Sequence, residues 1–282
     1  MSNELIAREF AHYQEHKRYL LHFLERDRTE CGRWLIRATL ATWDRQLAFL
    51  NPAWIRGRRV LEVGCGNPRV TQYFRHLGAA HAVGNDLSQA FAARGLRRSH
   101  NYAFDAVFPA PADTEIIYGD FTGSAVQDLT FDTVACFQSL HHIHLEGFVA
   151  ACERVLRPGG HVLISDPVGD HPLRRLANAV GRASGLLSPD EKARCAQEVI
   201  DAFRGRGFDL VETRSLNPTL EIYFQLTELV TPLSPRLAFW LKTPMAWWRP
   251  VENWLEQRVL PRHPRWGWRY YLVFRKAGDN NE

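Results

Sequence analysis

The segment Val60-Leu61-Glu62-Val63-Gly64-Cys65-Gly66-Asn67-Pro68 constrains this chain more than any other. A short run of strand-forming residues ends on two glycines, and helical periodicity begins at Arg69. Such a turn brings backbone N–H groups close to a ligand at the positive end of a helix dipole. Strand, glycine turn and helix in that order specify the ligand-binding corner of a parallel sheet.

Beyond this corner the chain alternates short apolar runs with helical stretches, the pattern of an α/β protein whose sheet is covered on both faces. Strands are expected at 60–63, 81–86, 115–119, 131–137 and 161–166, with helices starting near Arg69, Ser88 and Leu145. Arg157-Pro158-Gly159-Gly160 should end one helix and start the fifth strand, since proline cannot continue a helix and glycine frees the backbone. Two more strands are expected at 208–216 and 269–276. Residues 1–50 carry apolar side chains at helical spacing (Leu5, Ile6, Phe10, Tyr13, then Leu20, Leu21 and Leu24) and read as a helical arm.

Composition excludes several classes. The 282 residues are 45% hydrophobic and 23% charged, a balance that rules out disorder over most of the length. No run approaches the ~18 consecutive apolar residues of a membrane-spanning helix. The start of the chain lacks the apolar core of a signal peptide, so a cytoplasmic protein is expected. Cys31, Cys65, Cys136, Cys152 and Cys195 show no CxxC spacing and are expected to be reduced, buried thiols. A net charge of +4 is too small to imply nucleic acid.

Charge also bears on the ligand. A dinucleotide turn of the G-x-G-x-x-G type seats a pyrophosphate and needs a third glycine where this chain has Arg69. Glu62 would repel a pyrophosphate but suits an ammonium or a sulfonium, and S-adenosylmethionine carries both. Asp86, twenty residues past Gly66, stands where an acid accepts hydrogen bonds from both ribose hydroxyls, and Ser88 is placed to cap the next helix. Gly119-Asp120-Phe121 ends the third strand, where a carboxylate can take the adenine amino group and an aromatic ring can lie on the base. The fourth strand runs into Gln138-Ser139-Leu140-His141-His142, facing the same crevice. Plainer uses stand beside these: turn glycines, helix caps at Asp86 and Asp120, core packing at Phe121 and Phe137, a strand-start turn at Asp132. His141, His142 and His144 lack an obvious acidic partner, so no metal site is expected.

The segments V-L-E-V-G-C-G, N-D-L-S, G-D-F, F-D-T-V…S-L-H-H-I and V-L-R-P-G-G-H-V-L-I-S-D, in this order and spacing, resemble the class I S-adenosylmethionine-dependent methyltransferases. Within that class the resemblance is to the type 11 branch, which acts on small molecules and lipid intermediates, and it spans about residues 57–167. It implies an α/β, Rossmann-like seven-stranded sheet whose last strand is antiparallel. It also implies that Glu62, Gly64, Cys65, Gly66 and nearby backbone hold the amino-acid end of S-adenosylmethionine. By the same resemblance Asp86 and Leu87 lie at the ribose, Asp120 and Phe121 at the adenine, and Phe137 with Gln138 at the methionine portion or the substrate side. Many members have a third glycine two residues past Gly66, where this chain has Pro68.

Methyl transfer from a sulfonium is an in-line displacement, so alignment and exclusion of water dominate. A phenol, hydroxyl or carbon-acid acceptor would benefit from a general base, and His141 and His142 are the candidates. The expected activity is O- or C-methylation of a small or lipid-like acceptor, leaving S-adenosylhomocysteine. The alternative is a non-catalytic scaffold or regulator that binds either form of the cofactor. A nicotinamide-dependent oxidoreductase is disfavoured by Glu62 and Arg69. Methylation of nucleic-acid bases is disfavoured because Gln138-Ser139-Leu140-His141 is not the N/D-P-P-Y/F motif.

The expected division is a helical arm at 1–50, the cofactor-binding domain at 51–217, a helical insertion at 218–267, and the last strand and tail at 268–282. The insertion and the strand after it hold six of the nine tryptophans, and from Pro232 to Lys276 nine Lys or Arg face two Glu. Trp247, Val251, Trp254, Leu255 and Val259 fall on one helical stripe, with Arg249, Glu252, Asn253 and Glu256 off it. The favoured use is packing on the sheet or lining a hydrophobic acceptor pocket. The other is an interfacial helix within 240–268 resting on the anionic inner face of a membrane. The same basic character suits an acceptor bearing phosphate.

Overall fold

The computed structural model describes residues 47–87 apart from 48 and 67, 114–183, 191–228 and 244–278, with isolated positions between 230 and 241. Most of the expected N-terminal arm, the helix near Ser88 and Cys31 lie outside the described residues.

Seven strands form one sheet: β1 (Arg59–Val63), β2 (His81–Asp86), β3 (Glu115–Tyr118), β4 (Phe131–Phe137), β5 (Leu156–Pro167), β6 (Phe208–Leu216) and β7 (Arg269–Lys276). Their order is β3-β2-β1-β4-β5-β7-β6. The first five are mutually parallel where they pair, and β7 runs antiparallel to both β5 and β6. The antiparallel last strand implied by the family resemblance is therefore present.

The fifth strand departs from expectation. Arg157-Pro158-Gly159-Gly160 lies inside β5 and not ahead of it, because pairing with β4 begins at Leu156. The register then skips from Phe131↔Leu156 to Thr133↔His161, so the intervening residues bulge out. Gly160 sits at the crowded point of this bulge, where a Cβ would come within 2.9 Å of the carbonyl oxygens of Arg157 and Asp132. Asp132 braces the bulge: one oxygen accepts from the Arg59 N–H at 2.8 Å and the other lies 3.2 Å from Arg157 Nη1.

Among the described residues six helices accompany the sheet: α1 (Arg69–His76), α2 (Leu145–Val155), α3 (Arg174–Ala183), α4 (Ala196–Arg204), α5 (Leu220–Glu228) and α6 (Pro244–Arg258). Strand residues of one parity, among them Val134, Cys136, Val162, Ile164, Leu272 and Phe274, share a core with Phe148 of α2 and Phe203 of α4. Phe203 stacks on Phe274 with ring centroids 4.3 Å apart. The opposite parity, with Val60, Ala135, Leu163, Tyr271 and Val273, packs on Phe74 of α1 and on Leu47, Leu50 and Ile55. Both faces being covered, the strands read as near-continuous apolar runs. Each large aromatic buried this way contributes about 2–3 kcal/mol. Cys65, Cys136 and Cys152 are buried free thiols whose pKa burial pushes up, and Cys195 is partly exposed.

The strand directions place the ends of β1 to β6 and the start of β7 at one edge of the sheet. The segment carrying α5 and α6 leaves from that edge at Leu216 and returns to it at Arg269. No helix among the described residues is long and apolar enough to cross a membrane.

Candidate functional site

The glycine turn after β1 is locked to two neighbouring loops by three hydrogen bonds. Gly64 and Gly66 have φ of +66° and +47°, the left-handed region that glycine enters at little cost. A Cβ on Gly64 would overlap the Ser139 side chain, whose hydroxyl donates to the Gly64 carbonyl at 2.9 Å. The loop after β4 is thus buckled to the loop after β1. The Gly66 N–H donates to Asp86 Oδ2 at 2.7 Å and the Cys65 N–H to the Asn85 carbonyl at 3.0 Å, tying the turn to the tip of β2. Asn85 Nδ2 donates to the carbonyls of Ile117 and Gly119, which fixes the end of β3. Leu87, exposed, follows half-buried Asp86. Pro68 occupies the position just before α1.

Glu62 corrects the charge argument made from the sequence. Its carboxyl is buried and accepts the Thr71 hydroxyl from α1, so it does not stand as a bare anion in the crevice. Burial above all, with Asp86 adding and Thr71 opposing, raises its pKa to about 8. At neutral pH the group holds a proton, which leaves as pH rises through 8 or when a nearby cation draws it away.

At the end of β3, Asp120 Oδ1 accepts both the N–H and the hydroxyl of Thr122, at 2.9 and 2.8 Å, and so holds its own turn. Phe121 is buried against Phe148 at 5.5 Å, in the core. Phe137 is buried beside Phe74 at 6.4 Å. Gln138 takes φ +55°, rare for a side-chain-bearing residue, and donates its N–H to the Ser165 carbonyl at 2.8 Å. That twist turns the chain off β4 into the short 3-10 turn Leu140–His142.

The turn delivers a histidine that does have acidic partners, contrary to the sequence expectation. His141 is buried with Nδ1 2.8 Å from Asp166 Oδ1 at the end of β5, and Nε2 3.7 Å from Glu191 Oε1. The His142 ring lies 4.1 Å away. Burial alone would lower the His141 pKa, but Asp166 and Glu191 outweigh it and the net shift is upward from 6.5. His141, His142 and Glu191 bring ligand-type atoms within 4.8 Å of one another. His144 pairs separately with Glu146 at the surface, at 3.2 Å.

Behind this pair lies a charged wall with no sequence motif to announce it. Arg269 and Glu221 form a buried ion pair. Arg174 stacks on Trp268 at 4.0 Å and donates to the carbonyls of Val168 and Trp268, with burial lowering its pKa to about 10. Asp166 Oδ2, Tyr270 Oη and Arg269 Nη1 are buried without a hydrogen-bond partner among the described residues. The only local signal for any of these was Asp166 at a strand end.

The stripe on α6 is divided between surface and interior. Trp247, Val251 and Trp254 face outward, Trp247 being 85% exposed, whereas Glu252 is fully buried. Glu252 accepts from the N–H groups of Thr219 and Leu220 and from the Thr219 hydroxyl, and Glu256 accepts from the Asn217 N–H at 3.0 Å. The two carboxylates thus serve N–H groups at and just before the start of α5, while Leu255 and Val259 of the stripe are half-buried.

With this geometry in view, the methyltransferase-domain family matches residues 61–164, from within β1 to within β5. A ubiquinone biosynthesis O-methyltransferase of Cupriavidus pinatubonensis is 28% identical over 213 residues, 64% of this chain and 78% of that protein. Residues 61–164 carry the methyltransferase domain, and the relatives and fold neighbours support a class I S-adenosylmethionine-dependent methyltransferase. Another methyltransferase, the phthiotriol/phenolphthiotriol dimycocerosates methyltransferase 1 of Mycobacterium ulcerans, is 33% identical over 157 residues, 55% of this chain and 52% of its own. Among solved structures, the cyclopropane synthase MmaA2 of Mycobacterium tuberculosis shares the fold with a TM-score of 0.55 at 19% identity, covering 84% of each chain. The enzyme's seven-stranded sheet, with its antiparallel last strand, is the one its sequence motifs implied.

Proposed function

We propose that this methyltransferase carries the methyl group of S-adenosylmethionine to an oxygen or carbon of a small or lipid-like acceptor, with His141 as general base and His142 beside it. The observation that carries the reading is the His141–Asp166 pair at the ends of β4 and β5. A carboxylate only accepts, so Nδ1 keeps its proton and Nε2 offers its lone pair to the acceptor's proton. Asp166 and Glu191 then stabilise the imidazolium that forms. The names of the relatives, an O-methyltransferase of ubiquinone biosynthesis among them, support oxygen as the methylated atom and a lipid-like acceptor.

In this reading Glu62, Gly64, Cys65 and Gly66 hold the amino-acid end of the cofactor, Asp86 and Leu87 the ribose, Asp120 and Phe121 the adenine, and Phe137 and Gln138 the methionine portion. The residues present fit that group: two acids flank a glycine turn at a helix start, chemistry matched to an ammonium and a diol. When bound, the sulfonium supplies an electrophilic methyl carbon and leaves as a neutral thioether. The chain divides into an arm at 1–50, the cofactor domain at 51–217, a cap at 218–267 and the final strand and tail at 268–282. Departure and return of the 217–268 segment at the ligand edge support the cap assignment.

Incubation with an acceptor panel, read out as S-adenosylhomocysteine formed, tests this directly. His141→Ala should lose roughly 10²-fold or more in turnover while calorimetry shows S-adenosylhomocysteine binding intact. Undiminished turnover in both His141→Ala and His142→Ala would eliminate the base assignment.

A further inference from the structure

We infer that the outer face of α6 is a docking surface for an anionic lipid bilayer, at which the enzyme meets its acceptor. The inference rests on the lipid-like acceptor proposed above. Trp247, Pro250, Val251, Trp254 and Arg258 lie along one exposed stripe of the helix. Trp247 and Trp254 are 85% and 58% exposed, while Glu252 and Met245 on the opposite side are buried. A helix built for water alone would show its carboxylates and hide its tryptophans. This one does the reverse, and tryptophan is the residue that settles at the level of lipid headgroups.

Charge selects the kind of surface. Arg258, Arg262 and Arg265 are exposed, and the two acids between 244 and 276, Glu252 and Glu256, are occupied at the α5 end and not exposed. The outward face is therefore apolar and cationic, complementary to anionic headgroups. A second copy seated on this face by two-fold symmetry would bring like charges together. Beyond α6 the chain keeps this character on its way back to the ligand edge at Arg269. Exposed Trp266 lies 6.4 Å from the His171 ring, and next to His171 begins a second exposed stripe with Leu173 and Leu176.

The full chain, spun with vesicles of phosphatidylcholine and phosphatidylglycerol in equal parts, should co-sediment at low salt, and less so as salt rises. It should not follow vesicles of phosphatidylcholine alone. Trp247→Ser with Trp254→Ser should weaken binding about tenfold or more. Arg258→Glu with Arg262→Glu should remove the salt-dependent part. S-adenosylhomocysteine binding by calorimetry should be unchanged in both variants. Wild-type chain that binds S-adenosylhomocysteine yet stays in the supernatant with anionic vesicles overturns the docking surface and leaves the proposed function standing; absence of S-adenosylhomocysteine binding sinks that function instead. Vesicle binding that survives the tryptophan pair, or a dimer in analytical sedimentation that the same pair dissociates, also overturns it.

Discussion

His141 and Asp166, 25 residues apart in the chain, meet at 2.8 Å because β4 and β5 are paired neighbours that end at the same edge of the sheet. Buried with Glu191 also near, the imidazole holds its proton above the ordinary value of 6.5 despite the burial that works against it. A base must be neutral, so kcat/KM should rise with pH along a limb centred above 6.5. Asp166→Asn removes the foremost raising influence and should move that limb to lower pH while lowering turnover by at least about tenfold. A pH–rate profile unmoved by the substitution would take His141 out of the chemistry. The same raised pKa contributes stability that is complete below 6.5 and lost as pH climbs through the folded-state value.

Glu62 makes a second pH-dependent claim of the same sign. Its pKa is higher folded, about 8, than the ordinary 4.5, so the folded chain binds the extra proton between those values. Stability contributed by that protonation is full below 4.5 and declines as pH rises through 8. Glu62→Gln should flatten this decline and melt at a higher temperature than wild type above pH 8. Binding of S-adenosylmethionine near neutral pH should release a proton in wild type and not in the variant. Calorimetry in buffers of different ionisation enthalpy reads that proton.

The contact between Gly64 and Ser139 predicts a strong local intolerance. Gly64→Ala places a Cβ at φ +66° and onto the Ser139 side chain, and should cost roughly 2–4 kcal/mol. Denaturant unfolding measures that loss, and S-adenosylhomocysteine affinity should fall with it. Adding Ser139→Gly relieves the overlap but not the dihedral, so the double variant should recover part of the stability and no more.

The burial of Glu252 predicts damage in a helix it does not belong to. Glu252→Ala leaves the N–H groups of Thr219 and Leu220 without their acceptor, a cost of about 1–3 kcal/mol. Hydrogen exchange should quicken at the start of α5 while the glycine turn keeps its protection. Uniform exchange across both regions would show that α5 does not depend on this cap.

Most of the sheet was legible before any coordinates. Strand runs such as 81–86 and 131–137 carry their own evidence, because a doubly covered parallel strand needs consecutive apolar residues. The glycine turn was legible for a similar reason, its backbone demands being met by Gly64 and Gly66 themselves. The bulge at Arg157–Gly160 was not, since proline and glycine mark a break in a helix equally well whether or not the chain is already paired to a neighbour. The partners of the histidines escaped for a simpler reason: Asp166 and Glu191 belong to other segments, and no spacing rule connects them to His141.

What the sequence determined alone were the properties set by neighbours a few residues away: strands, the glycine corner, the order of motifs, and the existence of a stripe on α6. Tertiary structure decided everything that depends on what a side chain finally faces. It gave Glu62 a proton by burying it against Thr71, gave His141 its carboxylates, and turned the tryptophans of α6 outward because the N–H groups around the start of α5 claimed Glu252 and Glu256. Periodicity fixes which residues share a face of a helix, but the medium that face meets is chosen by contacts from distant parts of the chain.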